Sequence, residues 1–176
     1  MCMKNIWLAV LLLACSLQPK AQVTKATLTP GGITCSMCSK TIYEALKKMP
    51  VIESVKTNFK DESYAIVFKK DATIDFDDIN KTIVEAGYYI TRLKVAMQFN
   101  NVAIKNDAKV NTAGLELHFV NVQDQVLNGE KVVTLLDKHF ETEKEFKKYA
   151  ALPCMNNGVS STCSTISGTK VYHVTL

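Results

Sequence analysis

The chain has 176 residues, 47% of them hydrophobic and 22% charged, a balance typical of globular domains and not of disordered or collagen-like sequence. Its net charge is +4 with no run of Lys or Arg longer than two, so it lacks the clustered basic face that phosphate binding needs, and no nucleic-acid partner is expected. Its longest apolar run is Ile6 to Ala14, well short of the roughly 20 residues that cross a bilayer, so neither an integral pump nor a channel is expected.

Residues 1 to 21 have the order of a secretory signal peptide: a short start with Lys4, the apolar run, then Cys15, Ser16 and a polar stretch. Leu12-Leu13-Ala14-Cys15 resembles a bacterial lipobox, in which Cys15 is acylated and becomes the new N-terminus; cleavage after Ala21 is the competing site, with bulky Pro19 where a small residue is preferred. Either cut predicts export to the periplasm or cell envelope, with membrane contact only through a lipid anchor on Cys15. A short buried N-terminal helix is the structural alternative. Loss of residues 1 to 21 removes Lys4 and Lys20 and lowers the charge from +4 to +2. Export also governs how the six cysteines are read. Cys2 lies in the leader and Cys15 is removed or acylated, which leaves Cys35 with Cys38 and Cys154 with Cys163. In an oxidising compartment such close pairs default to disulfides unless a site protects them.

Val23 to Thr29 alternates polar and apolar residues as a strand does, and Pro30-Gly31-Gly32 supplies turn chemistry after it. Ile42, Ala45, Leu46 and Met49 recur at helical spacing, predicting a helix from Ser36 to Met49 that Pro50 closes. Val51 to Asn58 and Tyr64 to Phe68 read as a hairpin around Lys60-Asp61-Glu62. Asp75 caps a second helix with Phe76, Ile79, Ile83 and Ala86 on its buried stripe and Gly87 just past its end. Ile90 to Val95 completes a β-α-β-β-α-β order, the split arrangement of a ferredoxin-like α+β sandwich, over residues 22 to 96.

Residues 97 to 176 read as a separate small, β-rich α+β unit of unknown function. Val102 to Ile104 is a short strand, and Leu115 to Val122 places Leu115, Leu117 and Phe119 on one face. Asn128-Gly129 predicts a hairpin turn before Val132 to Leu136. Thr142-Glu143-Lys144-Glu145 is a capping box that opens a helix through Leu152, and Val171 to Leu176 is a last strand after a Ser/Thr/Asn/Gly-rich loop.

Chemistry concentrates in Gly32-Ile33-Thr34-Cys35-Ser36-Met37-Cys38, between the first strand and the first helix. Two cysteines at this spacing can point to one spot, where the helix dipole and the orphan N–H groups lower thiol pKa values. Two soft thiolates without further nearby ligands suit Cu(I) better than zinc, which wants four, and disfavour calcium and magnesium. A disulfide and a thiol-disulfide oxidoreductase use the same spacing. Against the oxidoreductase, Thr34 rather than an aromatic precedes Cys35, and neither Pro50 nor Pro153 is placed as a facing cis-proline. No phosphate loop or phosphorylatable Asp-Lys-Thr-Gly sequence is present, so the chain is not expected to be an enzyme.

With these residues the sequence resembles the heavy-metal-associated domain of copper chaperones, of the N-termini of copper-transporting ATPases and of the periplasmic mercury-binding protein, which share Gly-Met-Thr-Cys-x-x-Cys on a ferredoxin-like fold. The resemblance covers about residues 23 to 96. Ala86-Gly87-Tyr88 matches the Gly-aromatic turn that approaches the metal loop in bacterial members. Ile33 stands where the family has a packing methionine, and Pro50-Val51-Ile52 replaces the usual Gly-Val. The resemblance implies reversible binding of one soft ion, Cu(I) or Hg(II), by Cys35 and Cys38. It also implies handover by ligand exchange with a donor or acceptor protein bearing exposed thiols. An envelope thiol-disulfide oxidoreductase, and a partner-binding envelope protein with a metal-responsive domain, are the alternatives.

Cys154 and Cys163 flank a loop of turn formers, and a disulfide between them is expected to contribute roughly 2–3 kcal/mol by closing that loop. The alternative is a second soft-metal site from Cys154, Met155, Cys163 and His173. His118 and His139 read as ordinary surface or strand residues.

Overall fold

The computed structural model describes residues 22–150 and 170–176. Among them the chain forms β1 (Val23–Gly31), α1 (Ser36–Lys47), β2 (Ile52–Asn58), β3 (Ser63–Phe68), α2 (Phe76–Glu85), β4 (Tyr89–Ile104), β5 (Ala108–Thr112), β6 (Leu115–Phe119), β7 (Gln125–Leu135), α3 (Glu143–Ala150) and β8 (Val171–Thr175). No helix among these residues is long and apolar enough to cross a membrane.

The first six elements keep the expected order, and local chemistry explains their limits. The carboxylate of Asp75 accepts a hydrogen bond from the Asp77 N–H at 2.8 Å and so caps α2. At the other end Gly87 adopts φ +90°, while the Gly87 and Tyr88 N–H groups bond the carbonyls of Val84 and Ile83, a Schellman ending that a side chain at residue 87 would strain. Ile42 and Leu46 of α1, and Phe76, Ile79 and Ile83 of α2, are fully buried against Leu28, Ile66 and Leu93 of the sheet.

One mixed sheet holds all eight described strands in the order β2-β3-β1-β4-β7-β8-β6-β5. Its first four strands are antiparallel in the ferredoxin-like order, with the two helices packed on one face. The sheet then continues past the strand where such a sandwich ordinarily ends. β4 is 16 residues long; Val23 to Gly31 of β1 pair along its first half, Gln125 to Thr134 of β7 pair from Lys94 onward, and Lys94 to Met97 are paired on both sides.

Three local expectations change as a result. The separate strands expected at Ile90–Val95 and Val102–Ile104 are one strand, because Asn100 and Asn101 form a bulge opposite Asn128 instead of a break. Asn101 at φ +49° and Gly129 at φ +74° take the left-handed backbone this bulge needs. Asn128-Gly129 therefore lies inside β7 and is not a hairpin turn; the tight turn is Ala113-Gly114, at φ +54° and +75°, between β5 and β6. Pro30 and Gly31 extend β1 through a register shift rather than ending it.

Residue 96, the expected boundary, falls inside β4, and one apolar cluster runs from Leu28, Ile42 and Ile79 through Phe99 to Phe119, Phe140 and Tyr172. β8 enters between β7 and β6, parallel to β6, and buries Tyr172 against the start of α2. The Tyr172 ring meets Phe76 edge-on at 5.0 Å. Its hydroxyl accepts from the Phe76 N–H at 3.2 Å and donates to Asp75 at 2.8 Å, where Lys170 Nζ also donates at 2.8 Å. Lys170 pairs with Asp77 as well.

Candidate metal centre

Two glycines shape the loop that carries the first cysteine pair. A Cβ on Gly31 would lie 2.3 Å from the Tyr89 ring that crosses over it, and Gly32 turns the chain at φ +85°. Ile33 then packs against the core, as the residue in its place was expected to do. Cys35 is the extended residue before α1, and its carbonyl accepts from the Cys38 N–H at 3.1 Å and the Ser39 N–H at 3.4 Å. Cys38 thus sits in the first helical turn and its side chain returns toward Cys35. The two sulfurs are 3.0 Å apart and both are free thiols, Cys35 exposed and Cys38 half-buried.

Cys38 is held low, at about 6, first by the hydrogen bond with the Cys35 sulfur, then by one from the Tyr88 hydroxyl and one from the backbone N–H of Thr34. The same hydrogen bond pushes Tyr88 up, because it stabilises the protonated phenol. Below the loop, the Tyr64 ring is fully buried and its hydroxyl donates to the Ser39 carbonyl at 3.0 Å, which ties the first turn of α1 to β3. Burial raises Tyr64. No acidic residue lies in the first turn of α1, so its partial positive charge remains available to a thiolate.

Three apolar side chains ring this end of the molecule with their surfaces in solvent: Met37 in α1, Phe59 in the β2–β3 turn and Tyr89 at the start of β4. Among the described residues no three His, Cys, Asp or Glu side chains converge, so the loop offers two sulfur donors and an open side. That set suits a soft ion content with near-linear coordination and an added third thiolate.

Cys35 and Cys38 are the predicted site residues that the structure brings together. Cys15, Cys154, Met155 and Cys163 lie outside the described residues. His139 is exposed. His118 is a strand residue of β6, one of the two readings expected, but it is not at the surface: it is buried beside His173, with ring centroids 5.1 Å apart, because β8 lies next to β6. Tyr88 was legible as a turn residue, but its hydroxyl's effect on Cys38 depends on how α1 and β4 meet. Nothing in the local sequence marked Phe59 or Tyr89.

Residues 27–89 match the family described as heavy-metal-associated domain. The mercuric transport protein periplasmic component of Salmonella typhi is 30% identical over 86 residues, covering 49% of this chain and 93% of that protein. A probable copper-exporting P-type ATPase of Archaeoglobus fulgidus is 31% identical over 78 residues, covering 44% of this chain but only 10% of the ATPase. Oxidized MerP from Ralstonia metallidurans CH34, a crystal structure, is 28% identical over 40% of this chain and 94% of its own, with a TM-score of 0.35.

Proposed function

Because the chain belongs to the heavy-metal-associated domain family through residues 27–89, we propose that it is an exported protein that holds one Cu(I) ion between Cys35 and Cys38 and passes it to a thiol-bearing partner. The observation that carries this reading is the 3.0 Å pair of free sulfurs at an exposed helix start, with Cys38 lowered to about 6. At neutral pH Cys38 is mostly thiolate, so little proton competition opposes the metal. Similarity to both copper and mercury proteins makes Hg(II) the other ion of the same chemical class.

Transfer follows from the coordination number. An incoming thiolate adds to the open side, giving a three-sulfur intermediate, and one of the two cysteines then leaves as thiolate. The Tyr88 hydroxyl stabilises the departing Cys38 sulfur, and the apolar rim of Met37, Phe59 and Tyr89 gives the partner a surface to dry. No bond is catalysed in this scheme; the ion is cargo.

The test is anaerobic copper titration of the full chain against a chelator that strips nitrogen-only sites. The parent retains one Cu(I), while Cys35→Ser and Cys38→Ser each lose it because one thiolate cannot hold the ion against the competitor. A double variant that binds as tightly as the parent would overturn the reading. A thiol-disulfide oxidoreductase rests on the same close, low-pKa pair, and turnover of a disulfide substrate at catalytic rates would favour it. Export by residues 1–21, acylation of Cys15 and a Cys154–Cys163 disulfide complete the proposal. Labelled fatty acid absent from the parent would remove the anchor, and free Cys154 and Cys163 thiols on alkylation mapping would remove the disulfide.

A further inference from the structure

The second unit carries two buried imidazoles that neither its packing nor the loop site uses. β6 and β8 are parallel, with His118 directly opposite His173. Their neighbours Leu117, Phe119, Tyr172 and Val174 point into the core, so alternation puts both histidines on the other face of the sheet. The ring centroids are 5.1 Å apart with planes at 59°.

Each ring is held by its own carboxylate. Asp137 accepts from His173 Nδ1 at 2.7 Å through one oxygen and from the His173 backbone N–H at 3.1 Å through the other, and Asp107 lies 2.6 Å from His118 Nε2. A carboxylate only accepts, so in the neutral rings Nδ1 of His173 and Nε2 of His118 bear the hydrogens. The lone pairs then sit on His173 Nε2 and His118 Nδ1. Among the described residues His173 Nε2 is buried with no hydrogen-bond partner, and the whole side chain is only 7% exposed. Leaving such a nitrogen unpaired is costly, and strand pairing alone gives it no use. An imidazole fixed by a carboxylate on one nitrogen and bare on the other is the arrangement of metal-ligating histidine.

We infer that His118 Nδ1 and His173 Nε2 form a second Cu(I) site, built from two neutral imidazoles. Two metal–nitrogen bonds of about 2 Å each span about 4 Å, within reach of rings at this separation. No third His, Cys, Asp or Glu converges among the described residues, which suits a two-coordinate monovalent ion and not zinc or another ion that needs four or more ligands. Charged groups near the pair include Asp137, Asp107, Glu116 two residues before His118 on β6, and Lys109, the last directly opposite His118 on β5. The Asp107 side chain is 61% exposed, so the His118 end lies one residue below solvent. Imidazoles survive oxidation of thiols, and this site keeps its ligands when Cys35 and Cys38 are joined as a disulfide.

The test uses full-length Cys35→Ser/Cys38→Ser protein, in which the loop site is gone, titrated anaerobically with Cu(I). One equivalent binds, X-ray absorption shows nitrogen without sulfur in the first shell, and the lone-pair ring nitrogens of His118 and His173 shift together in nitrogen NMR. His118→Gln and His173→Gln in that background each weaken binding at least tenfold. The NMR readout is made with both histidines intact, so misfolding of a glutamine variant does not rescue or sink the inference. No bound copper, sulfur in the first shell, or unmoved ring resonances would overturn it, and none of these results bears on Cys35 and Cys38 in the parent.

Discussion

Replacing Tyr172 with Phe removes one oxygen and keeps the ring, so the edge contact with Phe76 survives while two hydrogen bonds go. The bond to Asp75 is the lesser loss, because that carboxylate keeps Lys170 and the Asp77 N–H. The Phe76 N–H is the greater: Phe76 is fully buried, water does not replace the hydroxyl, and an unsatisfied buried donor costs about 1–3 kcal/mol. We expect Tyr172→Phe to destabilise by about 2 kcal/mol, a fall of about 4–8 °C in Tm for a chain of this size. Urea unfolding followed by far-UV circular dichroism measures it, with an unchanged m-value showing that the unfolding reaction is the same. Since β8 lies in the same sheet as β1 and β6 and shares one core with α2, hydrogen exchange should show amides of β1 and β6 losing protection together. A change under about 0.5 kcal/mol, or loss confined to β5–β8, would refute the idea that this latch joins the two halves.

Alkylation of Cys38 should speed up through a titration centred near pH 6, and Tyr88→Phe should move that midpoint upward by deleting a donor to the thiolate; mass spectrometry of the Cys38 peptide against pH reads both. Burial alone would raise Asp75, but hydrogen bonds from Lys170, Tyr172 and the Asp77 N–H outweigh it and hold the carboxyl below its usual range. Its contribution is therefore present above the unfolded value of about 3.9 and lost as pH falls through the folded one, so the stability gap between parent and Asp75→Asn should close in acid. Ile83→Ala in α2 should cost about 2–5 kcal/mol by opening a cavity in a fully buried position, measured by the same urea midpoint.

The part of the fold that sequence made legible is the part governed by local rules. Helical spacing of Ile42, Ala45 and Leu46, the Asp75 cap and the Gly87 ending each name their position without help from distant residues, and the same holds for two cysteines three apart at a helix start. Long-range pairing is where local signals misled. Asn128-Gly129 has the left-handed preference of a hairpin turn, and a bulge in a long strand uses the same preference. Ile90–Val95 and Val102–Ile104 read as separate strands, whereas β7 continues the pairing on both sides of Asn100-Asn101. Val171 to Thr175 was visible as a strand, but its insertion between β6 and β7 was not, since it depends on residues 36 or more positions away. That insertion is also what brings His118 to His173, separated by 55 positions in sequence, so no spacing motif marked them.

The most direct test of the account is X-ray absorption of full-length protein loaded with one Cu(I) under chelator competition. We predict a first shell of two sulfurs in near-linear geometry, with that sulfur signal abolished in Cys35→Ser/Cys38→Ser. A nitrogen-dominated shell in the parent, or an unchanged sulfur shell in the double variant, would contradict the assignment of the ion to Cys35 and Cys38.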